Sequence, residues 1–242
     1  MPFQDWRALA TELSVALGTD IPPIAITFAE TAPQGILAFD EPMPAPNPSD
    51  GRTGRVSAGC VFWMKSTQRT FSTVAEDHAN CSIGSLTHGF KTLDEVAGNS
   101  DVAALLESNW VTMDVVPMIP VVKEKPGVVV YGPLADSLID PDVVLLRVTG
   151  RQLMLLSDAL PGLRIEGKPQ CHIIAVAKEQ NEVVASVGCQ LSRVRTGMSN
   201  AEMTCAIPAS RLTEVIAKLK ATARADNAVA RYAAEDASRF RI

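Results

Sequence analysis

The sequence of 242 residues has no apolar run long enough to cross a bilayer as a helix. Stretches such as Gly127 to Tyr131 and Val143 to Val148 are strand-length, far short of the roughly 20 residues a membrane helix requires. It also lacks an excess of charge of one sign. The formal net charge of −5 comes from interspersed acidic and basic residues, so nothing favours nucleic acid or an anionic membrane, and neither is expected as a partner. Met1 to Thr11 carries Asp5, Trp6 and Arg7 in place of a basic stretch followed by an apolar one, so no secretory signal is read and a cytoplasmic location is expected. The signatures G-x-G-x-x-G, P-loop, G-x-S-x-G and H-E-x-x-H are missing, which removes most of the weight from the common nucleotide-binding, hydrolase and zinc-protease classes. The five cysteines include no C-x₂-C pair, and an odd number in a chain this long does not resemble a disulfide framework.

What is present is ample material for a core, since 47% of the residues are hydrophobic. Trp6, Leu9, Leu13 and Leu17 recur at helical spacing before Gly18, which predicts an opening helix over residues 4 to 17. Strands are expected at Ile24 to Phe28, Thr70 to Val74, Val111 to Val116, Gly127 to Tyr131, Val143 to Val148, Glu182 to Val187 and Met203 to Ile207. Helices are expected at Val61 to Gln68, Asp101 to Glu107, Gln152 to Leu160 and Cys171 to Lys178, with a last one from Pro208 whose Leu212, Val215, Ile216 and Leu219 share a face. Glu41 to Gly54 is proline-rich and reads as a loop.

Two halves echo each other. Pro23 to Phe28 corresponds to Pro141 to Leu146, and in each half a cysteine precedes a helix while a strand then leads to a second cysteine among small polar residues. Cys60 and Cys81 have twenty residues between them, Cys171 and Cys189 have seventeen. The later strand ends also match, as Met118-Ile119-Pro120 and Ala206-Ile207-Pro208. The expected fold class is therefore α/β, or α+β, with two similar αβ halves related by a pseudo-twofold and packed as one compact unit. Its divisions are an N-terminal helix over 1–19, halves over 20–135 and 136–225, and a C-terminal tail over 226–242.

Under a pseudo-twofold, Cys60, Cys81, Cys171 and Cys189 approach one region from two sides. Four thiolates suit zinc or an iron–sulfur cluster, because soft sulfur ligands favour such metals. Inert packing and reactive thiol chemistry remain open as well, unpaired cysteine being among the most buried residue types. Cys205 has no counterpart and is assigned to the core. His78, beside Asp77, Asn80 and Ser82, could ligate a metal or support one that does, with Asp77 orienting its ring. His172 directly follows Cys171. Arg193, after Gly188 and Ser192, could instead anchor an anionic group or form an ordinary ion pair.

Taken in order, Pro23 to Ala25, Cys60, Asp77-His78-x-x-Cys81, Tyr131-Gly132-Pro133-Leu134, Pro141 to Val144, Cys171, Gly188-Cys189, Ser192-Arg193, Glu202-Met203 and Ile207-Pro208 resemble a known family. This is domain of unknown function 169, of the archaeal and bacterial cysteine-containing type, and the resemblance runs from about Trp6 to Leu219. The chain departs from it with Ser82 after the second cysteine and with Gln190-Leu191 before Ser192. The resemblance implies the four-cysteine pattern and no reaction. The functional expectation is a cytoplasmic metal- or iron–sulfur-binding protein with a redox or accessory role. A module binding a small anionic ligand between the halves and a protein–protein scaffold with core cysteines are the alternatives, and a homo-oligomer is compatible with each.

Overall fold

In the computed structural model, the residues described are 4–41 and 54–240. Most of the proline-rich stretch read as a loop lies outside them. The chain runs through helix α1 (Trp6–Leu17), strand β1 (Ile24–Ala29), α2 (Cys60–Lys65), β2 (Phe71–Thr73), α3 (Ala75–His78), α4 (Ser82–Thr87), α5 (Leu93–Val96), α6 (Ser100–Glu107) and β3 (Val128–Pro133). It continues with β4 (Val143–Val148), α7 (Gly150–Ala159), β5 (Arg164–Glu166), α8 (His172–Gln180), β6 (Val184–Ser186), α9 (Gln190–Thr196), β7 (Met203–Pro208) and α10 (Leu212–Asp236).

The strands form one seven-stranded mixed sheet of order β2-β3-β1-β4-β7-β6-β5. Each neighbouring pair is antiparallel except β5 and β6, which are parallel and joined through α8. At the centre β1 pairs with β4, Ile24 opposite Leu145 and Ile26 opposite Val143. Asp142 extends this junction: its carboxylate accepts from the Phe28 amide at 2.8 Å and from Lys178 Nζ of α8 at 2.8 Å.

Side-chain alternation along the strands divides the core into two layers. Ala25, Val144, Leu146, Cys205 and Ile207 face α1, α7 and α10. Ile24, Ile26, Tyr131, Leu145 and Val184 face the other way, onto a layer that holds Cys60 and Phe62 of α2, Ile83 of α4 and Ile173 and Ile174 of α8. Both faces of the central strands are thus covered, which accounts for their unbroken apolar runs.

The local signals act as their chemistry requires. The Asp5 side chain accepts from the Ala8 amide at the start of α1, and Gly18 closes the helix in the left-handed conformation at φ 62°. Thr149 and Gln152 cap α7 reciprocally.

Three expectations need correction. Val111 to Val116 is not a strand: amides 115 and 116 both turn back to the Thr112 carbonyl, and a short 3₁₀ turn (Val116–Met118) follows. Pro117 lies in that turn without an amide to donate to a ladder. Met118-Ile119-Pro120 therefore does not end a strand as Ala206-Ile207-Pro208 does, whereas β3 and β7 both end in proline and run into a 3₁₀ turn. Asp77 to Gly84, whose small polar residues around Cys81 read as a turn from the sequence, consists of α3 and the first residues of α4 and is largely buried. The last helix continues across residue 225 to Asp236, although its buried stripe ends at Leu219 and Val229 and Tyr232 are exposed.

This uneven burial predicts two outcomes in urea unfolding. Leu219→Ala should lower stability by about 2–5 kcal/mol, the range for emptying a packed leucine site. Removing residues 227–242 should change it by less than about 1 kcal/mol, because among the described residues that segment contributes exposed surface.

Candidate functional site

The four cysteines of the echo come from four separate segments and stand at the starts of four helices. Cys60 is the first residue of α2, while Cys81, Cys171 and Cys189 occupy the positions just before α4, α8 and α9. All four are buried and carry free thiols. They interact electrostatically in each of the six pairings open to them: Cys60 with Cys81 and Cys189, Cys81 with Cys189, and Cys171 with all three. Cys205 has no such interaction and lies in the opposite layer, as its strand position requires.

Burial dominates the acid–base behaviour of these thiols. It pushes Cys60 up to about 12 and Cys81 to about 11, and it raises Cys171 well above the ordinary thiol value, with charge on neighbouring cysteines adding to the rise. Opposing contributions are local. The Gly84 amide and Arg195 favour charge on Cys81, Ser192 and Gln170 favour it on Cys60, and Thr87 favours it on Cys171. At neutral pH these three groups are thiols unless a cation joins them. Among the described residues, no three His, Cys, Asp or Glu side chains stand together closely enough to hold a single metal ion as they are.

Buried polar groups pack against some of these sulfurs. Gln170 Nε2 lies 3.5 Å from both Cys60 Sγ and Met198 Sδ, and Ser192 Oγ lies 3.5 Å from the same Met198 sulfur. Tyr131 is fully buried, its hydroxyl has no hydrogen-bond partner among the described residues, and Cys60 and Cys171 both act on it after burial itself. The sequence reading did not assign Gln170, Met198, Thr87 or Tyr131 to the site. Gln170 could have been flagged by its adjacency to Cys171, and Tyr131 by the Tyr-Gly-Pro-Leu segment.

His78 is placed beside the start of α2: a Cβ added to Gly59 would sit 3.0 Å from its Nδ1, an atom without a hydrogen-bond partner. Its Nε2 meets Thr73 Oγ1 at 3.0 Å. Asp77 does not orient the ring. Its carboxylate instead accepts from the Val74 amide and pairs with Arg55. The His78 ring is enclosed by Phe62, Phe90 and His88, with centroids 4.8, 4.8 and 5.3 Å away. His172 faces Glu166 at 3.5 Å.

Arg193 is held against Gly188, where an added Cβ would lie 2.2 Å from its Nη1. Its Nη2 donates to the carbonyls of Val187 and Glu202, each at 2.9 Å, so it ties the ends of β6 and β7 together. The glycine is required twice, for this close approach and for its φ of 114°.

A family model for DUF169, described as uncharacterised ArCR, matches residues 12–218. The chain belongs to this family. The part of the DUF169 chain that is matched contains Cys60, Cys81, Cys171 and Cys189 and stops one residue before Leu219, the last buried position of α10. No curated protein and no solved structure matches the chain. Among the described residues no helix of this DUF169 protein is long and apolar enough to cross a membrane.

Burial lowers the pKa of His78 well below its ordinary value and brings His88 down to about 4. Both rings are therefore neutral in the fold at pH 7, whereas an unfolded histidine titrates near 6.5. Below that pH the unfolded chain binds protons that the folded chain does not, so stability is complete above about pH 6.5 and falls as pH drops. For His88 alone the loss at pH 5 should be about 2 kcal/mol. Urea midpoints at about pH 7.5 and pH 5 should show it, and His88→Gln should show a smaller difference between the two.

Proposed function

We propose that Cys60, Cys81, Cys171 and Cys189 hold an iron–sulfur cluster and that the protein has a redox or accessory role. The observation that carries this reading is the mutual interaction of all four thiols, two from each half of the chain, in one buried region. Four neutral thiols among apolar side chains gain little beyond packing, whereas a cationic inorganic core makes each a strong anionic ligand. The chemistry supplied by such a group is the uptake and release of an electron. The protein's own residues would exclude water and direct N–H and O–H groups at the sulfurs. His78 would support the α2 side of this site.

The strand arrangement supports the same reading. Read outward from the centre, one side of the sheet runs β1, β3, β2 and the other β4, β7, β6, with antiparallel neighbours throughout. We take the halves to be related by a pseudo-twofold that pairs Cys60 with Cys171 and Cys81 with Cys189, with β5 as an addition at one edge. The alternative in which Arg193 anchors an anionic ligand is less favoured, because its guanidinium already joins backbone carbonyls.

Anaerobic purification, or reconstitution with ferrous iron and sulfide, should yield a coloured protein containing both elements. Stoichiometric zinc without colour would replace the cluster by a zinc site, and a colourless metal-free protein would sink the reading. Cys60→Ser and Cys189→Ser should each reduce iron content severalfold, while Cys205→Ser should leave it unchanged.

A further inference from the structure

We infer that a cavity between the α4–α5 stretch and the residues leading from the 3₁₀ turn into β3 binds an alkyl carboxylate of medium chain length. The inference does not rest on the reading of the cysteines. The cavity has a volume of about 380 Å³, inside the range of about 300–1,000 Å³ usual for small-molecule sites. Its lining lies wholly between residues 86 and 125, so it is not the site between the halves that the sequence suggested. Leu86, Phe90, Leu93, Val116, Ile119 and Val122 supply apolar walls. Those walls are set before any ligand arrives. The Val122 amide donates to the Thr87 carbonyl at 3.0 Å. Gly89, at φ 75°, lets the Val122 carbonyl come so near that an added Cβ would lie 2.6 Å from its oxygen.

Charge around the cavity is predominantly of one sign. Lys91, Lys123 and Lys125 line it against a single carboxylate, Glu95. That carboxylate is already engaged, since it accepts from the Thr92 amide and hydroxyl and pairs with Lys91 at 3.5 Å. Lys123 meets Glu179 of α8 only at 3.9 Å, and Lys125 has no ion-pair partner among the described residues. Glu124 stands between these two lysines in sequence but does not line the cavity. Apolar walls alone would accept any oily molecule of the right size. Uncommitted ammonium groups beside them select one with an anionic end, because its body is then buried while its head makes charge-assisted hydrogen bonds. A neutral head gains much less there, and a cationic one is repelled.

The test is calorimetric titration of the full chain at neutral pH with octanoate, 1-octanol and octylammonium. Octanoate should bind at one site, octanol severalfold more weakly, and octylammonium not measurably. Added salt should weaken octanoate and leave octanol nearly unchanged. Lys125→Glu should lower the octanoate affinity severalfold without affecting octanol. Val121→Trp, at a lining position that is 36% exposed, should fill the cavity and weaken both. Both substituted positions are exposed, so each variant should keep the parent's urea midpoint. Equal binding of octanoate and octanol, or octanoate binding indifferent to Lys125→Glu, would overturn the inference by removing the carboxylate from it. Octanoate binding indifferent to Val121→Trp would overturn it by placing the ligand elsewhere. Absence of octanoate binding would overturn it outright and leave the recess to a protein side chain or a second copy of the chain. None of these readouts involves iron or zinc, so failure here and failure of the cysteine reading are told apart.

Discussion

The antiparallel pairing of β1 with β4 is the contact on which the rest of the molecule depends. It joins strands from the two halves of the chain, and every other strand is reached outward from it. Because side chains alternate, its register decides which residues face which layer. Ile24, Ile26, Val143 and Leu145 point toward the layer of the cysteine-bearing helices, and Ala25, Val144 and Leu146 toward α1, α7 and α10. A slip of one residue would exchange the two sets. Asp142 opposes such a slip, since its carboxylate receives the Phe28 amide and the Lys178 ammonium while its own amide donates to the Ile26 carbonyl.

From that register follows a region of unusual electrostatic character. One layer of the core holds Cys60, Cys171 and the buried Tyr131, and the neutral rings of His78 and His88 lie against its aromatic side chains. Burial drives every group whose shift is resolved there toward its uncharged form. The other layer has one cysteine, Cys205, and it is isolated from the rest. The two faces of a single sheet therefore differ in chemistry as sharply as two separate proteins do, one built for packing and the other carrying polar atoms whose hydrogen-bonding capacity the chain does not itself fill.

Much of this was legible in the sequence, and the failures have definite physical causes. The strands at the centre were readable because burial on both faces demands continuous apolar runs. The order cysteine, helix, strand, cysteine was readable in the chain before and after residue 136, because the helix and strand signals around each cysteine are local. Val111 to Val116 misled because its β-branched residues satisfy strand propensity, while no neighbouring strand is there to receive it and Pro117 follows directly. Helix α4 escaped because Ser82, Gly84, Ser85 and Thr87 have no apolar period: the helix is buried all round, so no amphipathic stripe exists to be seen. Strand β5, with exposed Arg164 and Ile165, is defined only by its pairing with β6. The groups around the cysteines escaped for a related reason, since Gln170 and Tyr131 act on Cys60 across more than seventy residues of chain.

The two outermost strands, each only three residues long, also bear on how the protein behaves in a crowded solution. On one side Ser72 of β2 is already bonded by its backbone to Leu37 and Phe39, so that rim is closed by the chain itself. On the other side β5 offers Arg164 and Glu166, which pair with each other and place charge along the rim. Neither border presents the long, flat, apolar ladder on which a second sheet could extend itself. The strongly apolar strands at the centre are thereby kept from templating fibrils at high concentration, since the surfaces most prone to do so are buried.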